Sequence, residues 1–174
     1  GRGYAREYGP GKGTTDGSGG SGGGYGGKGG RGVQIWAPGG ISYGTTNAPL
    51  TPGSGGGCRN VGDTSGGHGG GLVRIEAIDT VLVDGAISAN GGNGYSLGGG
   101  ASGGAVFIMC GLFKGGTNAI ICANGGQSGG QFGYPGGGGG GRVAVWYNVP
   151  SERRAGIIDG SNMRHVLTTN RLES

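Results

Sequence analysis

Chemistry in this chain has little to draw on: two histidines, three cysteines and nine carboxylates in 174 residues. His68 sits inside a glycine run and His165 near the end, and neither has a nucleophile or an acid close by in sequence. General acid–base work needs such a partner within hydrogen-bond reach, so both read as non-catalytic. Asp79 and Asp84 read as corner residues rather than as a facing carboxylate pair. The pattern GxSxG occurs at Gly19–Gly23, Gly100–Gly104 and Gly126–Gly130. None has the strand-to-helix elbow or the downstream acid-then-histidine order of a hydrolase. Gly17–Gly22 satisfies GxGxxG without a preceding strand. Lys12 and Lys28 follow glycine but precede no Ser or Thr, which excludes a P-loop. No catalytic residue is expected, and no enzyme.

Metal and cofactor chemistry fares no better. Gly91-Gly92-Asn93-Gly94-Tyr95-Ser96-Leu97 follows the calcium-binding nonapeptide except that Ser96 stands where the carboxylate belongs. A hard cation needs several carboxylate oxygens, so no calcium site is expected. Cys58, Cys110 and Cys122 lack CxxC spacing, and a zinc site has too few histidines to complete it. Cys110 and Cys122, on neighbouring strands, are the disulfide candidates for an oxidising compartment. The formal charge of +4 is spread over scattered Lys and Arg, with no block of like charge. That pattern reads as solvated surface and not as a nucleic-acid tract. The longest apolar run, Ala105 to Cys110, is far short of the roughly 18 residues of a membrane span. The chain begins at Gly1 without a Met, which suits a processed or partial product.

Glycine occupies 54 positions, where an average protein would carry about 7%. Six prolines and no sustained triplet register exclude collagen. Ordering backbone costs about 1–2 kcal/mol per residue, and glycine loses most, so an ordinary globular enzyme is disfavoured. Four segments share an alternating apolar pattern led by Val33, Val73, Val106 and Val143, roughly 33–40 residues apart. A second unit follows, clear in Ile87-Ser88-Ala89-Asn90-Gly91-Gly92 and Ile121-Cys122-Ala123-Asn124-Gly125-Gly126. These copies divide the chain into repeats at about 17–57, 65–101, 102–137 and 138–160. Together they form one domain over residues 1–148, followed by a tail over 150–174.

Val73, Ile75, Ala77, Val81 and Val83 alternate with Arg74, Glu76, Thr80 and Asp84, the period of a strand with one buried face. Ala105 to Cys110 is apolar on both parities, which predicts a strand covered on both faces. Asn90-Gly91 and Asn124-Gly125 are expected to turn the chain sharply, because both residue types tolerate positive φ. Within the first glycine run Tyr25, Lys28 and Arg31 recur every third residue, the repeat of an extended left-handed helix. They are expected to form one exposed edge and are the candidates for surface recognition.

The series VxIxA, ISANGG, glycine run and GGGGGRVAVWY resembles a glycine-rich repeat of extracellular surface and wall proteins, with polyglycine II bundle proteins as a related comparison. The match spans residues 65–148 well and 17–57 loosely. What the resemblance implies is an all-β repeat β-solenoid, parallel β-helix-like, whose glycine-rich runs form polyglycine II-type extended segments. The expected function is a non-enzymatic extracellular structural protein, a subunit of a self-assembling filament or sheath. Its partner would be itself, with Ile157, Ile158, Val166 and Leu167 of the tail as subunit contacts. The alternative is a cell-surface or phage-type adhesin that meets cell-surface glycans through glycine-bundle edges. Both place the chain outside the cell or on its surface.

Overall fold

Residues 1–32, 37–130, 135–150 and 153–154 are described by the computed structural model. Within them the period-two segments form strands: β1 (Leu72–Glu76), β2 (Thr80–Val83), β3 (Ala86–Ser88), β4 (Ala105–Met109), β5 (Leu112–Gly115), β6 (Ile120–Cys122) and β7 (Arg142–Trp146). All pairing among them is parallel, in three sheets ordered β1-β4-β7, β2-β5 and β3-β6. Like residues stand side by side in register. Val73 pairs with Val106 and Val106 with Val143, while Ile87 pairs with Ile121. Identical β-branched neighbours fit the pleat, so the hydrophobic pattern itself sets the register.

Strand β4 is the centre of the molecule, and all five of its residues are buried. Val106, Ile108 and the following Cys110 face one cluster with Val81, Val83 and Ala89. Phe107 and Met109 face the other, with Ala48 and Val149. Burying each large apolar side chain contributes roughly 1.5–3 kcal/mol. In β2 the alternation is literal: Val81 and Val83 are buried, while Leu82 is 65% exposed. Arg154 closes the end of β1 by donating to Ala77 O and Ile78 O, both at 3.0 Å.

The glycine runs leave the sheets and pair with one another. Gly56 N–H donates to Gly67 O, Gly67 to Gly99 O, Gly99 to Gly57 O and Gly57 to Ser21 O. A second chain of bonds runs from Gly103 to Gly139 O, Gly139 to Gly23 O and Gly23 to Gly100 O. Such close approach requires glycine. A Cβ on Gly138 would lie 1.8 Å from Ala101 O, and one on Gly99 would lie 2.0 Å from Ser21 O.

Several expectations are thereby corrected. The β-solenoid is replaced by a compact β-domain of three separate small parallel sheets, of three, two and two strands, none closed or curled. The physical reason is the length of the glycine connections. They divert the chain out of the sheets after β3 and β6 and fold it back on residues 1–71. The expected polyglycine II-type segments are corrected as well: the runs carry no regular element of their own. The supposed exposed edge is broken, since Tyr25 is fully buried while Lys28 and Arg31 are exposed. Asn90, Gly91, Asn124 and Gly125 make no positive-φ turn. They lie side by side instead, with Asn90 Oδ1 accepting from Asn124 N at 2.7 Å and Gly91 N donating to Asn124 O at 2.8 Å. The tail residues Ile157, Ile158, Val166 and Leu167, like the segment from Val33 to Trp36, lie outside the described residues.

Candidate functional site

His68 belongs to a glycine segment, residues 65–71, held between two others. On one side Gly3 N donates to Gly69 O at 2.7 Å, Gly69 N donates to Tyr4 O at 2.9 Å, and Arg2 bridges Gly70 in antiparallel sense. On the other side Gly92 N donates to His68 O at 2.8 Å and Tyr95 N to Ser65 O at 2.7 Å. Side chains are absent from most of these positions, so the few that exist border an open groove of about 340 Å³. They are Arg2, Arg6, Thr64, His68, Asn90 and Asn93.

Arg6 Nη2 donates to His68 Nε2 at 2.7 Å. A guanidinium has only donors, so Nε2 must carry the lone pair and the imidazole must be neutral, with its proton on Nδ1. Burial, and then the charges of Arg6 and Arg2, push the His68 pKa below its ordinary value. Opposite the arginines, Asn90 Oδ1 and Asn93 Oδ1 accept from Asn124 N at 2.7 Å and Gln127 N at 2.9 Å. Those bonds fix the carboxamides and leave their NH2 groups to donate outward. No carboxylate among the described residues lines the groove. One wall is thus cationic, the other is a pair of neutral donors, and the floor is glycine backbone.

The rim at Thr64 is set by Asp63. Some burial opposes its ionisation, but hydrogen bonds from Ser65 N, Ser65 Oγ and Asn60 N pull its carboxyl down to about 2. Arg59 N also donates to Ser65 Oγ at 2.7 Å, tying the loop to the start of the glycine segment that carries His68.

Of the residues singled out in the sequence, His68, Asn90, Gly91 and Asn93 line the groove, and the other described ones are placed elsewhere. Tyr25 packs against Tyr43 with ring centroids 4.8 Å apart and planes tilted by 48°, and the Arg142 guanidinium lies 5.5 Å over the Tyr25 ring. Tyr43 Oη donates to Pro52 O at 2.6 Å and accepts from Ser54 Oγ at 2.9 Å. Its burial pushes the phenol up to about 12. This is a packed interior cluster and not a recognition surface. Trp146 donates from Nε1 to Asn47 O at 2.7 Å, and Tyr147 packs on the core. Cys58, Cys110 and Cys122 all carry free thiols, so the Cys110–Cys122 pairing is not made. Among the described residues no three His, Cys, Asp or Glu side chains gather as metal ligands. No described helix is long and apolar enough to cross a membrane.

No protein-family model matches the chain, and neither characterised proteins nor solved structures provide a similar one. The resemblance to glycine-rich repeat surface and wall proteins is therefore corrected: no family model supports it, and the apolar parts of its motifs are short in-register strands of three separate sheets. The filament or sheath subunit, and the adhesin that would use glycine-bundle edges, lose their structural basis with it. A compact β-domain is not an extended repeat unit.

Proposed function

We propose that this chain is a non-enzymatic binding domain whose groove, built on Arg2, Arg6 and His68, takes an anion-bearing ligand. The observation that carries the reading is the Arg6–His68 contact at 2.7 Å in a groove whose described lining residues include two guanidiniums and no carboxylate. Arginine is suited to the role because its planar fork matches carboxylate, sulfate and phosphate oxygens. Among the described residues no aligned nucleophile or metal-ligand cluster stands beside it, and the groove offers binding and orientation rather than bond making. A position outside the cell, with acidic surface glycans as partners, accords with this reading. The test is binding to immobilised dextran sulfate, with neutral dextran as the control. Wild-type protein binds the sulfated polymer, and the Arg2→Ala/Arg6→Ala double variant loses about tenfold or more in affinity. Equal binding by the double variant, or equal binding to neutral dextran, contradicts the proposal.

A further inference from the structure

The groove is asymmetric beyond its charge. Past Asn93, at the Thr64 end, the backbone of Tyr95 is anchored to Ser65 O, and its side chain is 78% exposed. Gly98 N donates back to Tyr95 O at 2.8 Å, and Ser96 and Leu97 hold positive φ of 43° and 69°. The ring is thus carried on a tight, backbone-bonded loop that follows the groove-lining Asn93 and pairs with Ser65, next to the groove-lining Thr64. An aromatic ring left mostly in water is a stacking platform for the apolar face of a sugar ring. The carboxamide wall adds hydroxyl partners. Asn90 and Asn93 are oriented through their oxygens, so each offers an NH2 to a ligand oxygen.

Resting on the anion-groove reading above, we infer that the ligand is an acidic oligosaccharide. Its acid group sits at Arg2, Arg6 and His68, its hydroxyls on Asn90 and Asn93, and a further sugar ring on Tyr95. A nucleic acid fits this surface less well. Single strands need a run of aromatic platforms along a cationic track, and this site has one exposed ring and two arginines. The acid group has two sources in common saccharides, a uronate carboxylate and a sulfate ester, and both match a guanidinium fork.

The experiment compares four probes by calorimetry: an oligogalacturonate, a sulfated oligosaccharide, a polyphosphate of matched charge and a single-stranded DNA oligonucleotide. Wild-type protein binds at least one acidic saccharide about tenfold more tightly than polyphosphate or DNA. Tyr95→Ala loses about tenfold for that saccharide and leaves polyphosphate affinity unchanged. The residue is mostly exposed, so the variant folds, which a circular dichroism spectrum checks. The preferred saccharide identifies carboxylate or sulfate as the acid. If polyphosphate or DNA binds as well as the saccharides, or Tyr95→Ala binds them unchanged, the saccharide assignment is overturned while the anion groove stands. If no probe binds better to wild type than to Arg2→Ala/Arg6→Ala, both readings fall.

Discussion

The Arg6–His68 hydrogen bond requires an imidazole lone pair, so it exists only while His68 is neutral. The charged groups facing the ring are Arg6 and Arg2 from the N-terminal segment, while residues 90–93 bring carboxamides alone. Because the folded pKa lies below 6.5, this contact stabilises the fold fully above pH 6.5 and is lost as pH falls through the lowered value. An anion in the groove reverses the preference, since it favours imidazolium and takes the guanidinium released by protonation. Affinity for sulfate is therefore expected to rise as pH falls below 6.5 in wild type, and to stay flat in His68→Asn. Titration calorimetry across that range checks both arms. Asp63 follows the same sign. Its carboxyl is depressed from 3.8 to about 2, so its hydrogen bonds stabilise the 58–66 loop above pH 3.8 and lose hold as pH approaches 2. A stability difference between wild type and Asp63→Ala is expected at neutral pH and should shrink steadily as pH falls from 3.8 towards 2. At this scale the sequence was hard to read. His68 and Arg6 are 62 residues apart, each unremarkable alone, and no spacing rule joins them. Asn90-Gly91 has the composition of a turn, yet its glycine serves close packing: a Cβ there would lie 2.3 Å from Ala101 O.

Strands and glycine segments follow different rules, and only the strands were legible in advance. Val73, Val106 and Val143 lead like segments, and their alternation sets both the buried face and the pairing partner. The doubly apolar run from Ala105 became the central strand for the same reason. Truncating Phe107, which is wholly buried, is expected to cost about 3–5 kcal/mol by denaturant titration. Glycine segments have no side chains to declare a partner, so their pairing could not be read from spacing, and the three-residue register of Tyr25, Lys28 and Arg31 misled. Contact distances replace pattern here. Gly138→Ala should destabilise by about 1–3 kcal/mol, because the new methyl meets the Ala101 carbonyl. Gly140→Ala, with open space around the added carbon, should fall within about 0.5 kcal/mol of wild type. Equal effects at the two positions would contradict the backbone packing described above.

At the scale of the whole molecule, the sheets and the glycine segments are joined by backbone hydrogen bonds. β4 is buried on both faces, and the segments around Gly20–Gly24, Gly53–Gly57 and Gly98–Gly104 bond to one another. Amide exchange in those glycine segments is accordingly expected to be as slow as in β4, and fast exchange there would reduce them to unpaired loops. That rigidity matters for function, since it holds Arg2, Arg6, His68, Asn90 and Asn93 around one groove from three distant stretches of chain. The most direct test of the groove is a proton–nitrogen chemical-shift titration with sodium sulfate at low ionic strength, where screening is weakest. Saturable shifts centred on Arg2, Arg6, Thr64, His68, Asn90 and Asn93, with Lys28 and Arg31 unmoved, are the predicted result. Small, unsaturable shifts spread over all exposed Lys and Arg residues would contradict it.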